Sequence, residues 1–475
     1  MHDLVIANGL VAVDGALTPM DLGITDGLIE TIGPGLTGCE TIDASGRWVL
    51  PGGIDSHCHL DQPAWGYALS ADDFTSGSVS AAFGGLTCII PFGMPGPGMS
   101  TLDAFSRAVG RAEGRSVIDY ALHGVMSGAS PHGVYAQLER LVASGVSSVK
   151  VFMTYGELFV GDDLFLDVLD AARALGLLVM VHAENDAGIR FMTDRLLAKG
   201  KTALRYTSVA RSEIIEREAT HRAATLAEMT GARMAILHVS CAQALEEIVR
   251  AKARGVDITG ETCPQYLFTS AADLDRNLQD ASRFVFAPPP RAKSNQPHLW
   301  AALRSGDLDL WSSDHSPYFA ADKLGEGTGQ HFDRAVNGIP GLETQQPLLF
   351  TELRAGRFSL ERFLALSSGN AARLYGLDHI KGRLAPGLHA DIAIWDPDER
   401  WTIKADALHT NVDYTPFEGI TVTGRPKTVL VRGTPVIREG QFAAQPGHGV
   451  YTHAKTSEPR PRQPSLDDAP WDDRG

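Results

Sequence analysis

The most informative feature of this sequence is a set of residues of the types that bind metal ions in hydrolases, namely His57, His59, Lys150, His182, His238 and Asp314. A pair of divalent ions would generate a hydroxide near neutral pH, and hydroxide can attack a stable amide. The set begins at His57-Cys58-His59, directly after the strand-like segment WVLPGGID. Residues i and i+2 of a strand point to the same side, so both imidazoles can face one ion.

The other histidines and the aspartate stand at the ends of apolar runs. His182 follows LLVMV, His238 follows RMAIL, and Asp314 ends the stretch LDLWSSD. A lone histidine in such a place is most often a packed core residue, and the HxH pair alone is a weak signal. Four histidines at equivalent strand ends are harder to explain by packing. A buried, unpaired carboxylate at Asp314 would cost several kcal/mol, so a cation partner is expected.

Lys150 is the unusual member of the set, because it lies inside the apolar run SSVKVFM. Taken alone, such a lysine most often extends its ammonium group from the strand end to solvent. If CO2 adds to the amine, however, the carbamate is an anionic bridge that can hold two ions about 3.5–4 Å apart. Burial beside cations lowers the amine pKa and favours the neutral form that reacts with CO2.

The surrounding sequence predicts the elements that would position these residues. Residues 1–50 and 384–440 contain short alternating runs with Gly and Asp between them, which predicts a β-sandwich built from both chain ends. Residues 51–383 alternate between apolar strands and helices. Ser212 and Gly231 bound one helical segment, and Ser240 is expected to cap the next. Repeated units of this kind predict an α/β fold, a (β/α)8 TIM-like barrel with its active site at the carboxyl ends of the strands.

Composition excludes several classes of partner. The net charge of −15 argues against a nucleic-acid or anionic-membrane partner, either of which would need a basic face. No apolar run approaches the roughly 18 residues of a membrane span, and we expect no signal peptide in the first residues. The cysteines form neither a CxxC pair nor an even framework, which favours a reducing, cytoplasmic setting. Residues 441–475 have little periodicity and are interpreted either as a disordered end or as an arm packed on another subunit.

Several sequence blocks together resemble those of the cyclic amidohydrolases, specifically the dihydropyrimidinase and hydantoinase branch. The likeness runs from residue 51 to residue 433 and includes the blocks PGGIDSHCHL, SADDFTSGSVSAAFGGLTCIIPFGMP, SVKVFMTYGEL, VMVHAEN, ILHVS, GETCPQYL, APPPR, SSDHSP, NGIPGLET and NVDYTPFEG. The resemblance implies a metal-bearing (β/α)8 barrel with a β-sandwich from both chain ends, which agrees with the element pattern.

The resemblance also implies a role for each site residue. His57 and His59 would bind one metal with Asp314, His182 and His238 would bind the other, and carbamylated Lys150 would bridge them. Tyr155 would contact the substrate carbonyl and donate to the developing oxyanion. Backbone groups near Ala287 and Asn337 would bind the N–H and C=O edge of the substrate ring. Three further residues are expected to hold the ligands in place or to be structural: Glu184, Asn185 and His123.

Two departures from the family pattern bear on the substrate. Many relatives read Ser-Pro-Pro-Leu-Arg where this chain has Ala-Pro-Pro-Pro-Arg from Ala287, so the backbone contacts are kept but the serine hydroxyl is lost. Dihydroorotase relatives carry an arginine at the position of residue 61 to hold the substrate carboxylate. This chain has Asp61 there, and an aspartate would repel such a group. The loops around five residues could form an apolar pocket for a ring substituent, although for each residue taken separately core packing is the commoner explanation: Trp65, Met94, Phe152, Leu158 and Phe159.

The predicted activity is hydrolysis of the C–N bond of a cyclic amide or ureide by a metal-bridging hydroxide, with Asp314 as general base and acid. Dihydropyrimidines and 5-substituted hydantoins are the first expected substrates, and allantoin or cyclic imides are the alternative. A non-catalytic binding protein of the same fold is a further alternative. Zn2+ is the expected metal, while Mn2+, Co2+ or Ni2+ would suit the same ligands. A homotetramer is implied by the resemblance.

Overall fold

The computed structural model describes residues 1–62, 68–129, 132–324 and 331–460. Its strands, numbered in chain order, are β1 (His2–Val13), β2 (Ala16–Thr25), β3 (Leu28–Gly33), β4 (Gly38–Asp43), β5 (Trp48–Pro51), β6 (Gly53–Cys58), β7 (Leu86–Pro91), β8 (Asp119–Tyr120), β9 (Gly124–Val125), β10 (Ser148–Phe152), β11 (Leu178–His182), β12 (Arg233–Ile236), β13 (Ile258–Thr262), β14 (Leu310–Trp311), β15 (Ile392–Thr402), β16 (Thr421–Val431), β17 (Thr434–Arg438) and β18 (Gln441–Phe442).

The α-helices alternate with the strands in the middle of the chain. They are α1 (Phe74–Phe83), α2 (Thr101–Ala112), α3 (Val134–Ala143), α4 (Asp162–Leu175), α5 (Asp186–Ala198), α6 (Tyr206–Ala210), α7 (Glu213–Thr230), α8 (Ala242–Ala253), α9 (Pro264–Phe268), α10 (Leu278–Ser282), α11 (Gln296–Ser305), α12 (Gln345–Arg354), α13 (Leu360–Leu364) and α14 (Asn370–Leu374). Among the described residues, none of these helices is long and apolar enough to cross a membrane.

Parallel strands β6 to β14 form the barrel. The sheet β9-β10-β11-β12-β13-β14 and the sheet β6-β7-β8 are joined by parallel bridges between Phe92 and His123 and between Cys58 and His315. The strands are buried along their length, as expected for a sheet covered by helices on its outer face. The predicted (β/α)8 barrel is confirmed.

Local sequence signals account for the helix ends. α7 spans Glu213–Thr230, and Gly231 follows it with a φ of 71°, the left-handed conformation that glycine adopts at low cost. α8 begins at Ala242, and Cys241, not the predicted Ser240, occupies its N-cap position. Ser240 does not cap this helix, because its hydroxyl donates to the buried carboxylate of Glu216 instead.

Strands from both chain ends form a second sheet beside the barrel. Its order is β18-β17-β16-β15-β5-β1-β2-β3, and β4 pairs with β1. Most pairs are antiparallel, but β1 lies parallel to β4 and β5. The strands form one continuous hydrogen-bonded sheet, and its separate core includes Ile6, Leu22, Ile392 and Leu430. The prediction that both chain ends build one β module beside the barrel is confirmed.

Residues 447–460 pack against the barrel of the same chain, on the face opposite to the carboxyl ends of its strands. Tyr120 N donates to Val450 O (3.0 Å), Thr452 N donates to Tyr120 O (2.7 Å), and Ser457 N donates to Gly176 O (3.1 Å). These main-chain bonds hold the segment in place, so residues 447–460 are not a disordered end, while contact of the tail with another subunit stays a prediction. Residues 461–475 lie outside the described residues, and the domain bounds stay a prediction.

A buried ion cluster joins the barrel to the terminal sheet. Lys381 Nζ donates to Asp119 Oδ2 (2.6 Å) and to Asp391, and the three side chains are at most 4% exposed. Arg432 also donates to Asp119. Asp119, His389 and Asp391 have the spacing of a cation site, but Lys381 and Arg432 already supply the positive charge there.

We expect Lys381→Met to lower the free energy of unfolding by about 3 kcal/mol, because it leaves two buried carboxylates with less positive charge. Urea denaturation followed by circular dichroism measures the change. Lys427→Met is the control, since Lys427 pairs with Glu399 at a partly exposed site and should lose less than about 1 kcal/mol. Equal losses in the two variants would contradict this account of the cluster.

Candidate active site

Three of the predicted metal ligands converge at the end of β6 and the loop after β14. His57 Nε2 lies 3.0 Å from Asp314 Oδ1, and His59 Nε2 lies 3.5 Å from the same oxygen. His57 Nδ1 donates to Glu261 Oε1 (2.6 Å), and His59 Nδ1 donates to Gln62 Oε1 (3.1 Å). In both rings the bond at Nδ1 directs Nε2 toward Asp314, an arrangement typical of metal-binding histidines.

The other two histidines lie beside this group. The ring centroids of His182 and His238 are 4.4 Å apart, and those of His57 and His238 are 5.5 Å apart. His182 Nε2 donates to Glu184 Oε2 (2.8 Å), so Nδ1 is the atom of His182 that could bind a metal. Both ring nitrogens of His238 are buried, and neither has a hydrogen-bond partner among the described residues. Because buried polar atoms are normally satisfied, the orphaned imidazole of His238 fits the role of a metal ligand.

Lys150 is buried between the two pairs of histidines. Its Nζ lies 3.2 Å from His57 Nε2 and over the rings of Phe92 and Phe152, at 4.1 and 4.6 Å from their centroids. The side chain is 1% exposed, so it does not extend to solvent as an isolated strand lysine would. Burial lowers the pKa of the Lys150 amine to about 8, which increases the neutral fraction that can react with CO2.

The pKa values of the histidines suit metal binding. Burial lowers the pKa of His59 to about 4 and holds the pKa values of His182 and His238 well below their usual range. At neutral pH these rings are therefore the unprotonated imidazoles that metal ions bind. Burial also opposes the charge on His57, but Glu261 and Asp314 outweigh it and raise its pKa to about 9. A cation at His57 Nε2 would take the place of that proton.

Backbone conformation aims three of the predicted residues into the site. Tyr155, His238 and Asp314 have φ angles of 75°, 39° and 49°, which residues other than glycine seldom adopt. Each follows the carboxyl end of a barrel strand. Such strained conformations persist where the surrounding structure imposes them, and they cluster at active sites.

Tyr155 lies beside His182 and packs against Arg211, which forms a buried ion pair with Glu184. Its ring centroid is 5.0 Å from that of His182, and the Arg211 guanidinium lies 5.0 Å from the Tyr155 ring centroid. Arg211 in turn donates to Glu184, the partner of His182. Burial raises the pKa of the Tyr155 phenol, so it stays protonated at neutral pH and can donate a hydrogen bond.

Most of the predicted residues line one cavity: His59, Lys150, Tyr155, His182, His238, Ala287, Asp314 and Asn337. His57 is fully buried and is not part of the lining, but it contacts Asp314 (3.0 Å). The apolar lining residues are Met94, Phe152, Leu158, Phe286 and Ile339. Phe159 is absent from the lining among the described residues, and Trp65 lies outside the described residues.

Asp61 does not have the position that the sequence suggested for it. It is not among the described residues that line the cavity, and its carboxylate bonds to Arg111 and lies 3.9 Å from Arg115. Its charge is therefore compensated at the surface. The absence of an arginine at this position still disfavours a dihydroorotase, but repulsion by Asp61 does not contribute.

Sequence reasoning missed Glu261, which links two of the ligand candidates. One carboxylate oxygen accepts from His57 Nδ1 and from the backbone N–H of His238 (3.1 Å). The residue is fully buried in β13. The segment GETCPQYL carries the family likeness, but the neighbours of a glutamate in a strand do not indicate which distant residue it will contact. Asp55 was also missed; it accepts from Ser313 in the strand-end loop that carries Asp314.

We expect Glu261→Gln to weaken metal affinity about 10- to 100-fold, because the amide cannot orient His57 as a carboxylate does. Metal content after dialysis against graded chelator concentrations measures the loss. Glu228→Gln, on an exposed helix face, is the matched control and should bind metal as the wild type does. Unchanged metal retention in Glu261→Gln would show that the His57–Glu261 bond has no part in binding.

Comparison with known proteins identifies the family of this chain. The sequence profile of the Amidohydrolase family matches residues 48–436. The chain is 40% identical over 452 residues to the D-hydantoinase of Rhizobium radiobacter, covering 94% of this chain and 98% of that protein. The crystal structure of the dihydropyrimidinase from Brevibacillus agri has a TM-score of 0.92 at 38% identity, covering 96% and 99% of the two chains. The L-hydantoinase (dihydropyrimidinase) from Arthrobacter aurescens has a TM-score of 0.86 at 30% identity, covering 95% and 99%.

The barrel, the site and the profile match define the class: the chain belongs to the amidohydrolase family. Its full-length relatives bear the names hydantoinase and dihydropyrimidinase, so the resemblance to that branch is confirmed. The chain is therefore a hydrolase, and the family and the ligand candidates together indicate a metal-dependent enzyme.

Proposed function

We propose that this protein opens the amide C–N bond of a 5-substituted hydantoin or a dihydropyrimidine, with two divalent metal ions in the site. The observation that carries the proposal is that one cavity is lined by five of the six ligand candidates, the Tyr155 phenol, Ala287 and Asn337, while the sixth candidate, His57, contacts Asp314 from the buried side. Water is added across the amide, so that a hydantoin becomes an N-carbamoyl amino acid. Zn2+ is the expected metal, and the alternative ions stay open.

The donor set divides into two groups. His57, His59 and Asp314 would hold one ion, and their donor atoms lie within 4.8 Å of one another. His182 and His238 would hold the other. When bound, the ions activate the attacking water and polarise the substrate carbonyl. The Lys150 amine would add to CO2 and lose a proton, giving a carbamate whose two oxygens can serve both ions.

Asp314 is the residue placed to move a proton. Its carboxylate lies within 3.5 Å of both His57 Nε2 and His59 Nε2. It lines the same cavity as Lys150 and His238. A carboxylate oxygen of Asp314 would take the proton of the attacking water and deliver it to the ring nitrogen as the C–N bond breaks. The nitrogen then leaves as a neutral amide of the ureido group, which is a better leaving group than its anion.

Tyr155 would donate its phenol proton in a hydrogen bond to the carbonyl oxygen as that oxygen becomes negative. We expect Tyr155→Phe to reduce kcat about 10²- to 10³-fold with little change in metal content, because one oxyanion donor is lost. Steady-state kinetics of ring opening tests this expectation. Tyr135→Phe, at a half-exposed helix position, is the control. Wild-type kcat in Tyr155→Phe would remove the phenol from the mechanism.

The rest of the cavity suits a five- or six-membered ring with one substituent. Ala287 and Asn337 line the same cavity as the ligand candidates, and main-chain groups near them would bind the N–H and C=O groups of the ring. Met94, Phe152 and Leu158 offer apolar surface to a substituent. Loss of the serine hydroxyl at Ala287 leaves the recognition of the ring to the backbone.

The test is ring opening by protein prepared with Zn2+ and bicarbonate, followed by loss of ultraviolet absorbance. Dihydrouracil, 5-phenylhydantoin, allantoin and succinimide are compared, and Asp314→Asn is the inactive control. Chelator-sensitive opening of the first two supports the proposal. Opening of allantoin or succinimide alone would move the substrate to those rings. No opening of any ring, with metal absent from the protein, would favour the non-catalytic binding protein.

A further inference from the structure

Lys323 is a fully buried lysine outside the metal-ligand set. Its Nζ donates to Val285 O (2.5 Å) and to Gly338 O (2.6 Å), and none of the side chain is exposed. None of the ion pairs formed among the described residues includes it. Lys381, another fully buried lysine, binds two carboxylates instead.

Burying an amine against main-chain carbonyls alone is unfavourable. A charged ammonium without a counter-ion loses its hydration and gains only two neutral acceptors. Burial accordingly holds the pKa of Lys323 well below its usual range. An apolar side chain would fill the same space at lower cost, so the amine must contribute through the two carbonyls that it joins.

The two carbonyls belong to two segments, residues 285–287 and 336–339, that together form one wall of the cavity. Val285 precedes Phe286 and Ala287, and Gly338 lies between Asn337 and Ile339; these four neighbours and Gly338 itself line the cavity. Between the segments, Gly338 N donates directly to Val285 O (3.1 Å). This main-chain bond joins the segments at one point, and the two bonds from Lys323 Nζ add a second link between them.

Close packing shows how little room this wall has to move. Gly338 has a φ of 155°, and a Cβ atom there would lie 2.5 Å from Ser316 O. Lys323 is also tied to the second segment through its own backbone, because Val336 N donates to Lys323 O (2.9 Å). A shift of either segment would therefore change the width of the cavity opposite the metal ligands.

We propose that Lys323 is a positioning residue, which holds residues 285–287 and 336–339 at the separation that binds the substrate ring. This inference rests on the proposed function. It concerns binding more than chemistry, since the reacting atoms are held by the ligand set on other strands. Loosening the wall should therefore raise KM about tenfold, the effect of one weakened hydrogen bond, and leave kcat within about twofold.

The experiment compares Lys323→Met with Lys381→Met, the same substitution at the buried lysine of the ion cluster. KM and kcat are measured on the ring that the wild type opens. Hydrogen exchange of the peptide containing Gly338 is followed by mass spectrometry in each protein. Lys323→Gln, which keeps a polar donor, serves if the Met variant does not fold.

A raised KM with retained kcat, together with faster exchange at Gly338 in the Lys323 variant alone, is the expected result. Unchanged KM, or a fall in kcat alone, would overturn the inference. So would equal exchange at Gly338 in the wild type and the Lys323 variant. If the wild type opens no ring, the proposed function fails. The exchange data would then still decide whether Lys323 holds the wall.

Discussion

Asp314→Asn is expected to reduce kcat for ring opening by about 10²- to 10⁴-fold, the usual contribution of a positioned general base and acid. The amide keeps the size of the side chain but cannot accept the water proton. Because Asp314 also stands 3.0 Å from His57 Nε2 and 3.5 Å from His59 Nε2, the variant should lose part of its metal as well. Kinetics and metal analysis of the same preparation separate the two effects.

Asp61→Asn is the matched control for this prediction. Asp61 follows the same strand as His57 and is partly buried, but its charge is taken up by Arg111. We expect its kcat to stay within about twofold of wild type, as for surface substitutions away from a site. If Asp314→Asn retained both full metal content and wild-type kcat, another group would have to move the proton.

Lys150→Ala is expected to lose metal and to lower kcat by at least about 10³-fold. The reasoning is that several kcal/mol of metal-dependent stabilisation disappear with the bridge, and each 1.36 kcal/mol is a factor of ten. The short side chain leaves the space between Phe92 and Phe152 without an anion for either ion. Metal content, activity and native mass with and without bicarbonate are the measurements.

Lys252→Ala is the control for the bridge, because Lys252 lies on the outer helix α8 and pairs with Asp309. Its metal content and activity should match the wild type. Wild-type protein should carry a mass equal to one added CO2 when prepared with bicarbonate, and Lys150→Ala should not. Full activity and two metals per chain in Lys150→Ala would rule out a carbamate bridge.

Helix ends and strand ends are readable from the sequence because they depend on neighbouring residues. Gly231 ends α7 where the sequence predicted, since glycine tolerates a positive φ and most residues do not. The alternation of strands and helices likewise predicted which side chains stand at the carboxyl ends of the barrel strands. The spacing of His57 and His59 was sufficient to point both rings to one side.

Partners that are distant in the chain were not readable in this way. Glu261 lies 204 residues from His57, and only closure of the barrel, with β14 between β13 and β6, brings the two side chains together. Ser240 looked like a helix cap, but the tertiary structure gave its hydroxyl a stronger acceptor in Glu216. The sequence predicts a charge in the active site at Asp61, but in the folded chain this carboxylate pairs with Arg111.

Periodicity and turn chemistry are local, so they predict the fold class and the residue types at the strand ends, while the family follows from the resemblance of whole sequence blocks. Three contacts exist only in the folded chain: Lys150 against His57, Lys323 between two segments of the cavity lining, and residues 447–460 against the barrel of the same chain. Each of these contacts joins segments far apart in the chain. Their burial and hydrogen bonds exist only once the barrel has closed.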